Sequence, residues 1–187
     1  MPTEDKLLER LDRAVRASRV AETIERTTLE LGALLTKDPR ARLAWRTVPL
    51  NVYGHLPDEI ASSWVFVLRA NSTSGANGIP TVQRVMSYRG SADLQTWDGR
   101  AWEAHCLSSG FDKAIDVRWL SIPTNVWHRP IMNDTDWIVV SFHTAAPETL
   151  IEERAADERT PGRVRRVPSC MRGEPRGKLS LVRRNTR

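Results

Sequence analysis

The chain has 187 residues, a 40% apolar fraction that includes seven tryptophans, and a formal net charge of +5. That gives room for one ordinary domain with extensions, and enough apolar surface for a packed core. No apolar run reaches bilayer length, the opening Met1-Pro-Thr-Glu-Asp-Lys6 lacks a secretory apolar stretch, and Cys106 and Cys170 are too few for a disulfide framework. The expectation is a cytoplasmic chain with reduced thiols and no membrane partner.

Residues 4 to about 36 read as helix. Leu7, Leu11, Ala14, Ser18, Ala21, Ile24, Thr28, Leu31 and Leu35 recur at three- and four-residue steps and so share a face. Thr3 stands at the N-cap position, Glu4 and Asp5 follow where the helix dipole favours acids, and Lys37-Asp-Pro39 ends the pattern. The face is weak at Ala14, Ser18 and Ala21, which allows two helices with a bend. Such a stripe is expected to pack on its own domain or on a second copy.

From Arg42 the period changes to two. Strands are predicted over 42–48, 64–70, 83–89, 92–97, 101–107, 115–121, 126–132 and 136–143, with Ile115, Val117 and Trp119 alternating against Asp116 and Arg118. Asp98-Gly99 predicts a two-residue hairpin turn. Short strands without intervening helices point to an all-β barrel or sandwich, and a jelly roll fits best. The resulting division is a helical segment over 1–38, a barrel over 39–154 and a tail over 155–187.

The tail carries ten Lys/Arg against three Asp/Glu, out of 28 and 23 in the whole chain, so the remainder holds 18 and 20 and is nearly neutral. Its Arg, Pro and Gly content without apolar period predicts disorder. Arg163-Val-Arg-Arg166 and Arg183-Arg184 could hold a polyanion by counterion release, but the tail has no aromatic residue to stack on bases. A nonspecifically adhesive extension is the expectation.

Two stretches carry the chemistry. Pro123, Asn125, His128 and Asn133 follow the strand ending at Ile122, and Gln83 and Gly90 bracket another strand upstream. Together they resemble the two sequence motifs of the cupin barrels over about residues 64–143. Asn125 replaces a motif glycine, a change that asparagine's tolerance of the left-handed region allows. The resemblance implies a single cupin-like jelly-roll barrel, mainly β, with a pocket between the motifs, and a homodimer. It also implies a divalent ion held by about three imidazoles and a carboxylate. Here Gln83 replaces the acid, and Asn77-Gly-Ile-Pro-Thr-Val82 lies where two histidines are usual. Of a metal set only His128 and Gln83 are left, with His55, His105 and His143 outside the motifs. A metal cofactor is therefore allowed but not favoured.

Gln83, Ser87, Trp119, Asn125, Trp127 and His128 are the candidate pocket residues, the tryptophans offering an aromatic wall beside a few polar groups. No serine or paired-carboxylate constellation points to catalysis, and Ser74-Gly-Ala-Asn-Gly78 lacks the lysine of a phosphate cradle. The expectation is a barrel that binds a small molecule, with no reaction assigned. The alternative is a metal-dependent enzyme, a dioxygenase, isomerase or epimerase, using His128 with off-motif ligands.

Overall fold

The computed structural model describes residues 3–110, 112–149, 153–155 and 164–166. The N-terminal stripe folds as two helices, α1 (Glu4–Arg16) and α2 (Ser18–Lys37), broken at Ala17, whose backbone is extended. The buried face shifts across the break: Leu7, Leu8, Leu11 and Val15 in α1 give way to Val20, Ile24, Leu31 and Leu35 in α2. Thr3 caps α1 without a side-chain bond, and its carbonyl accepts the Leu7 N–H at 3.1 Å. No helix among the described residues is long and apolar enough to cross a membrane.

Ten further strands follow in the barrel: β1 (Leu43–Thr47), β2 (Ser62–Leu68), β3 (Asn77–Gly78), β4 (Gln83–Arg89), β5 (Ser91–Trp97), β6 (Trp102–Glu103), β7 (Cys106–Ser108), β8 (Trp119–Ile122), β9 (His128–Met132) and β10 (Trp137–His143). Two more, β11 (Glu153–Ala155) and β12 (Val164–Arg166), pair beyond them. The first sheet runs β1-β2-β10-β4-β8 and the second β12-β11-β3-β9-β5-β6, with β7 on β5; every pairing is antiparallel. The second sheet thus takes in two short strands at or within the stretch expected as tail; the remaining tail positions lie outside the described residues.

Both faces of the first sheet are covered. Leu68, Val85, Ile122, Trp137 and Val139 meet Ala92, Leu94, Leu107 and Met132 of the second sheet in the barrel interior. Val65, Val67, Met86, Trp119, Val140 and Phe142 face the other way, under α1 and α2. Helix cover explains why β10 is buried at every residue.

Three local predictions are corrected. Residues 115–118 form a helical turn, α3 (Ile115–Arg118), ahead of β8. There the Arg118 guanidinium is buried against Asp12 of α1, a contact that an extended start to the strand would not direct. The predicted strand 101–107 splits into β6 and β7, because the Asp93 carboxylate takes the His105 N–H at 3.1 Å. The Asp98-Gly99 turn is a four-residue loop between Trp97 and Trp102, its tip held by Asp98 Oδ1 accepting from the N–H of Arg100 and Ala101. Gly90 lies at φ 85°, and a Cβ there would sit 2.8 Å from the Asp136 carbonyl, so the spacing from Gln83 to glycine is a backbone requirement.

Candidate functional site

Strand pairing assembles a polar cluster at one end of the barrel. In the second sheet β3 and β9 set Asn77 beside His128. In the first, β4 and β10 set Gln83 beside His143, with Ser141 two residues back on the same face. Gln83, His128, Ser141 and His143 are all buried. Ile79, next to β3, packs against Trp64 of β2, whose ring lies 6.3 Å from that of His143, and this contact puts the two pairs at the same end of the interior. Trp64 and Ile79 thus give the cluster an apolar flank.

Hydrogen bonding leaves part of this cluster unfilled. Ser141 Oγ and His143 Nε2 share a bond of 3.0 Å, and His128 Nδ1 donates to the Val126 carbonyl at 3.3 Å. Three buried atoms of the cluster have no hydrogen-bond partner among the described residues: Asn77 Oδ1, Gln83 Oε1 and His143 Nδ1. Burial, and then the neighbouring His128, pushes the His143 pKa down to about 3, so this imidazole is neutral at ordinary pH.

The six residues singled out in the sequence fall in different places. Gln83 and His128 lie in the cluster. Ser87 shares the face of Gln83 but sits four residues along β4, roughly 13 Å away. It is already engaged there, donating to the Gly90 carbonyl at 3.1 Å and accepting the Trp137 indole N–H at 2.8 Å. Trp119 is corrected out of the pocket: it faces the helices, stacks on Phe142 and donates its indole N–H to Asp12 at 2.9 Å. Asn125 is left-handed at φ 62° and exposed; its N–H donates to the Ile79 carbonyl at 2.9 Å, so it shapes the turn. Trp127 lies over Gly78 on the outer side of β3.

Of the off-motif histidines, His143 joins the cluster, His105 pairs with Thr96 Oγ1 at 2.8 Å and His55 is exposed. Asn77 was missed as a candidate although it stands six residues before Gln83, where the cupin pattern has a histidine. Ile79 stands at the second such position and fills it with an apolar side chain.

The divalent ion implied by the resemblance does not fit these residues. Among the described residues the cluster offers two imidazoles and two neutral amides and no carboxylate. Among the described residues no group of three or more His, Cys, Asp and Glu could hold an ion. Neutral amide oxygens do little to offset the dehydration of a transition-metal cation.

Two antiparallel sheets closed face to face, with the motif histidine and glutamine at one end of the interior, define a cupin-type jelly roll. The sequence matches no protein-family model, and no curated protein is similar to it in sequence. Among solved structures, the chain is similar to a variant of salicylate 1,2-dioxygenase from Pseudoaminobacter salicylatoxidans in complex with gentisate. The TM-score is 0.53 at 13% identity, over 73% of this chain and 36% of that one. Salicylate 1,2-dioxygenase from Pseudaminobacter salicylatoxidans is matched at TM-score 0.51 and 13% identity, over 71% and 37%. A sugar phosphate isomerase from a cupin superfamily of Silicibacter pomeroyi is more distant, with TM-score 0.43 and 14% identity over 60% and 66%. The chain spans little more than a third of the dioxygenases it resembles, and the likeness is one of fold.

Proposed function

We propose that the chain is a binding protein of cupin-type fold whose barrel end takes a small hydrogen-bond-donating molecule, without a metal ion. The observation that supports this most is the set of buried atoms without a partner among the described residues, Asn77 Oδ1, Gln83 Oε1 and His143 Nδ1. An unpaired buried polar atom costs about 1–3 kcal/mol, which the donors of a ligand would offset. The amide oxygens accept only, and the buried His143 ring is neutral at ordinary pH. A neutral or cationic donor such as an amide, amine or polyol therefore suits the site, with the Trp64 ring beside it for apolar or cation–π contact. A metal-dependent oxygenase or isomerase is not favoured, because Ile79, Asn77 and Gln83 replace the charged and imidazole donors it needs.

The test is a titration of the full-length protein with acetamide, methylammonium and glycerol, followed by NMR of the Trp64 indole and His143 ring signals. At least one probe should shift both signals in the wild type and neither in Gln83→Leu. The same substitution should leave stability unchanged or raise it by about 1 kcal/mol, since an unpaired acceptor is exchanged for an apolar group of similar size. No shift in the wild type, an equal shift in the variant, or a marked loss of stability would each contradict the reading.

A further inference from the structure

Helix α2 carries two stripes. Val20, Ile24, Leu31 and Leu35 are buried on the first sheet. On the solvent side Ser18, Glu22, Glu25, Leu29 and Gly32 step by four, three, four and three residues, so they share a second face. Leu29 is 73% exposed there, against 37% for Leu34 and Val117, the next most exposed large apolar residues among those described. A cleft of about 680 Å³ runs along this face beside Tyr88 of β4 and reaches from Leu29 back to Ser18. The far end of the cleft is walled by Ser18, Ala21, Glu22 and Glu25. Their spacing, i, i+3, i+4 and i+7, is the set of four that receives one side chain from a packed helix.

Two further features of the stripe find no use within the chain. Glycine weakens a helix interior, yet a Cβ built at Gly32 would meet nothing within 4 Å, so the fold itself does not call for glycine there. A second helix approaching from outside would. Glu22 and Arg26 stand one turn apart in the order that favours an ion pair, and both are exposed. Neither forms an ion pair among the described residues, whereas Glu25 and Glu30 hold Arg89 and Arg46.

We propose that this face is the contact between two copies of the chain, their α2 helices packed antiparallel about a twofold axis beside Glu25. Such a contact must be self-complementary, and the stripe is. Leu29 and Ala21 lie four residues either side of the axis, so Leu29 of each copy enters the cleft of the other. Gly32 and Ser18 lie seven residues either side, which sets Gly32 against Ser18 of the partner subunit and lets the helices approach closely. Arg26 comes within reach of Glu22 of the partner subunit, and the pair repeats across the axis. The Glu25 carboxylates nearest the axis are already neutralised by Arg89. A parallel arrangement would set Leu29 on Leu29 and Glu22 on Glu22, and would leave both clefts unfilled. One helix from each copy makes a small contact, so the dimer is weak and reversible.

The test is sedimentation velocity of the full-length protein from micromolar to submillimolar concentration, on wild type, Gly32→Gln, Arg26→Glu, and Arg26→Glu combined with Glu22→Arg. Glutamine is a better helix former than glycine and has open space at position 32, so Gly32→Gln should keep its helicity and melting temperature. The wild type should pass from one chain to two. Gly32→Gln should weaken association by about tenfold or more, because each copy then overfills the contact. Arg26→Glu should weaken it about tenfold through like charges, and adding Glu22→Arg should restore it. A wild type of one chain throughout, or a dimer of equal strength in all four proteins, would overturn the proposal. A double variant as weak as Arg26→Glu alone would overturn it as well, since Arg26 and Glu22 would then not meet across the axis.

Discussion

Asp12→Leu is expected to destabilise the protein by about 3–5 kcal/mol, the cost of stranding a buried charge. Asp12 is 7% exposed and receives the Arg118 guanidinium through both oxygens, the Trp119 indole N–H at 2.9 Å and Arg16 at 3.0 Å. These bonds join α1 to α3 and β8, so the helices are tied to the barrel by polar as well as apolar contact. Removing the carboxylate leaves Arg118, itself 5% exposed, without its counter-ion. For a domain of this size such a loss lowers the melting temperature by roughly 10 °C. Adding Arg118→Met to Asp12→Leu should recover most of the difference, because an apolar pair of similar volume needs no charge compensation. Thermal and urea unfolding of the single and double variants measure it. A single variant as stable as the wild type would mean that the helices are not anchored through this pair.

The second large effect is with pH. His143 is fully buried with its pKa pushed down to about 3, against an ordinary 6.5. Below pH 6.5 the unfolded chain takes up a proton at this histidine that the folded chain does not, so stability falls as the pH falls and is fully present above 6.5. The slope is about 1.4 kcal/mol per pH unit, or about 2 kcal/mol between pH 6.5 and 5, before most carboxylates titrate. Further down, Glu4, held below its usual range by the Arg84 guanidinium, adds a loss of the same sign. Chemical denaturation from pH 7 to 5 should show this slope in the wild type and a flatter one in His143→Leu. Parallel profiles would place the His143 ring in contact with water.

The strands with a clean period were legible: 83–89 and the last strand coincide with β4 and β10 within a residue, and the helical stripe ends at Lys37 as its stop signal implies. The barrel class followed from those elements together with the motif spacing. What was not legible depended on partners distant in sequence. Trp119 was assigned to the pocket because alternation does not say which face of a sheet is the interior when both are buried, and Asp12, 107 residues away, draws it outward. The same ion pair turns 115–118 into a helical turn. Asn77 lies in a strand of two residues, too short for any period, and only its distance from Gln83 marks its position. Asn125 was read for the right backbone reason, and its side chain is exposed, since a left-handed turn residue need not point its side chain inward.

A barrel end that works as a neutral hydrogen-bonding site, as proposed, should hold no metal ion. Metal analysis after loading with iron, manganese, nickel and zinc and desalting, on wild type and His128→Ala side by side, tests it most directly. The expected result is metal far below one ion per chain in both proteins. One ion per chain in the wild type, lost in His128→Ala, would contradict it.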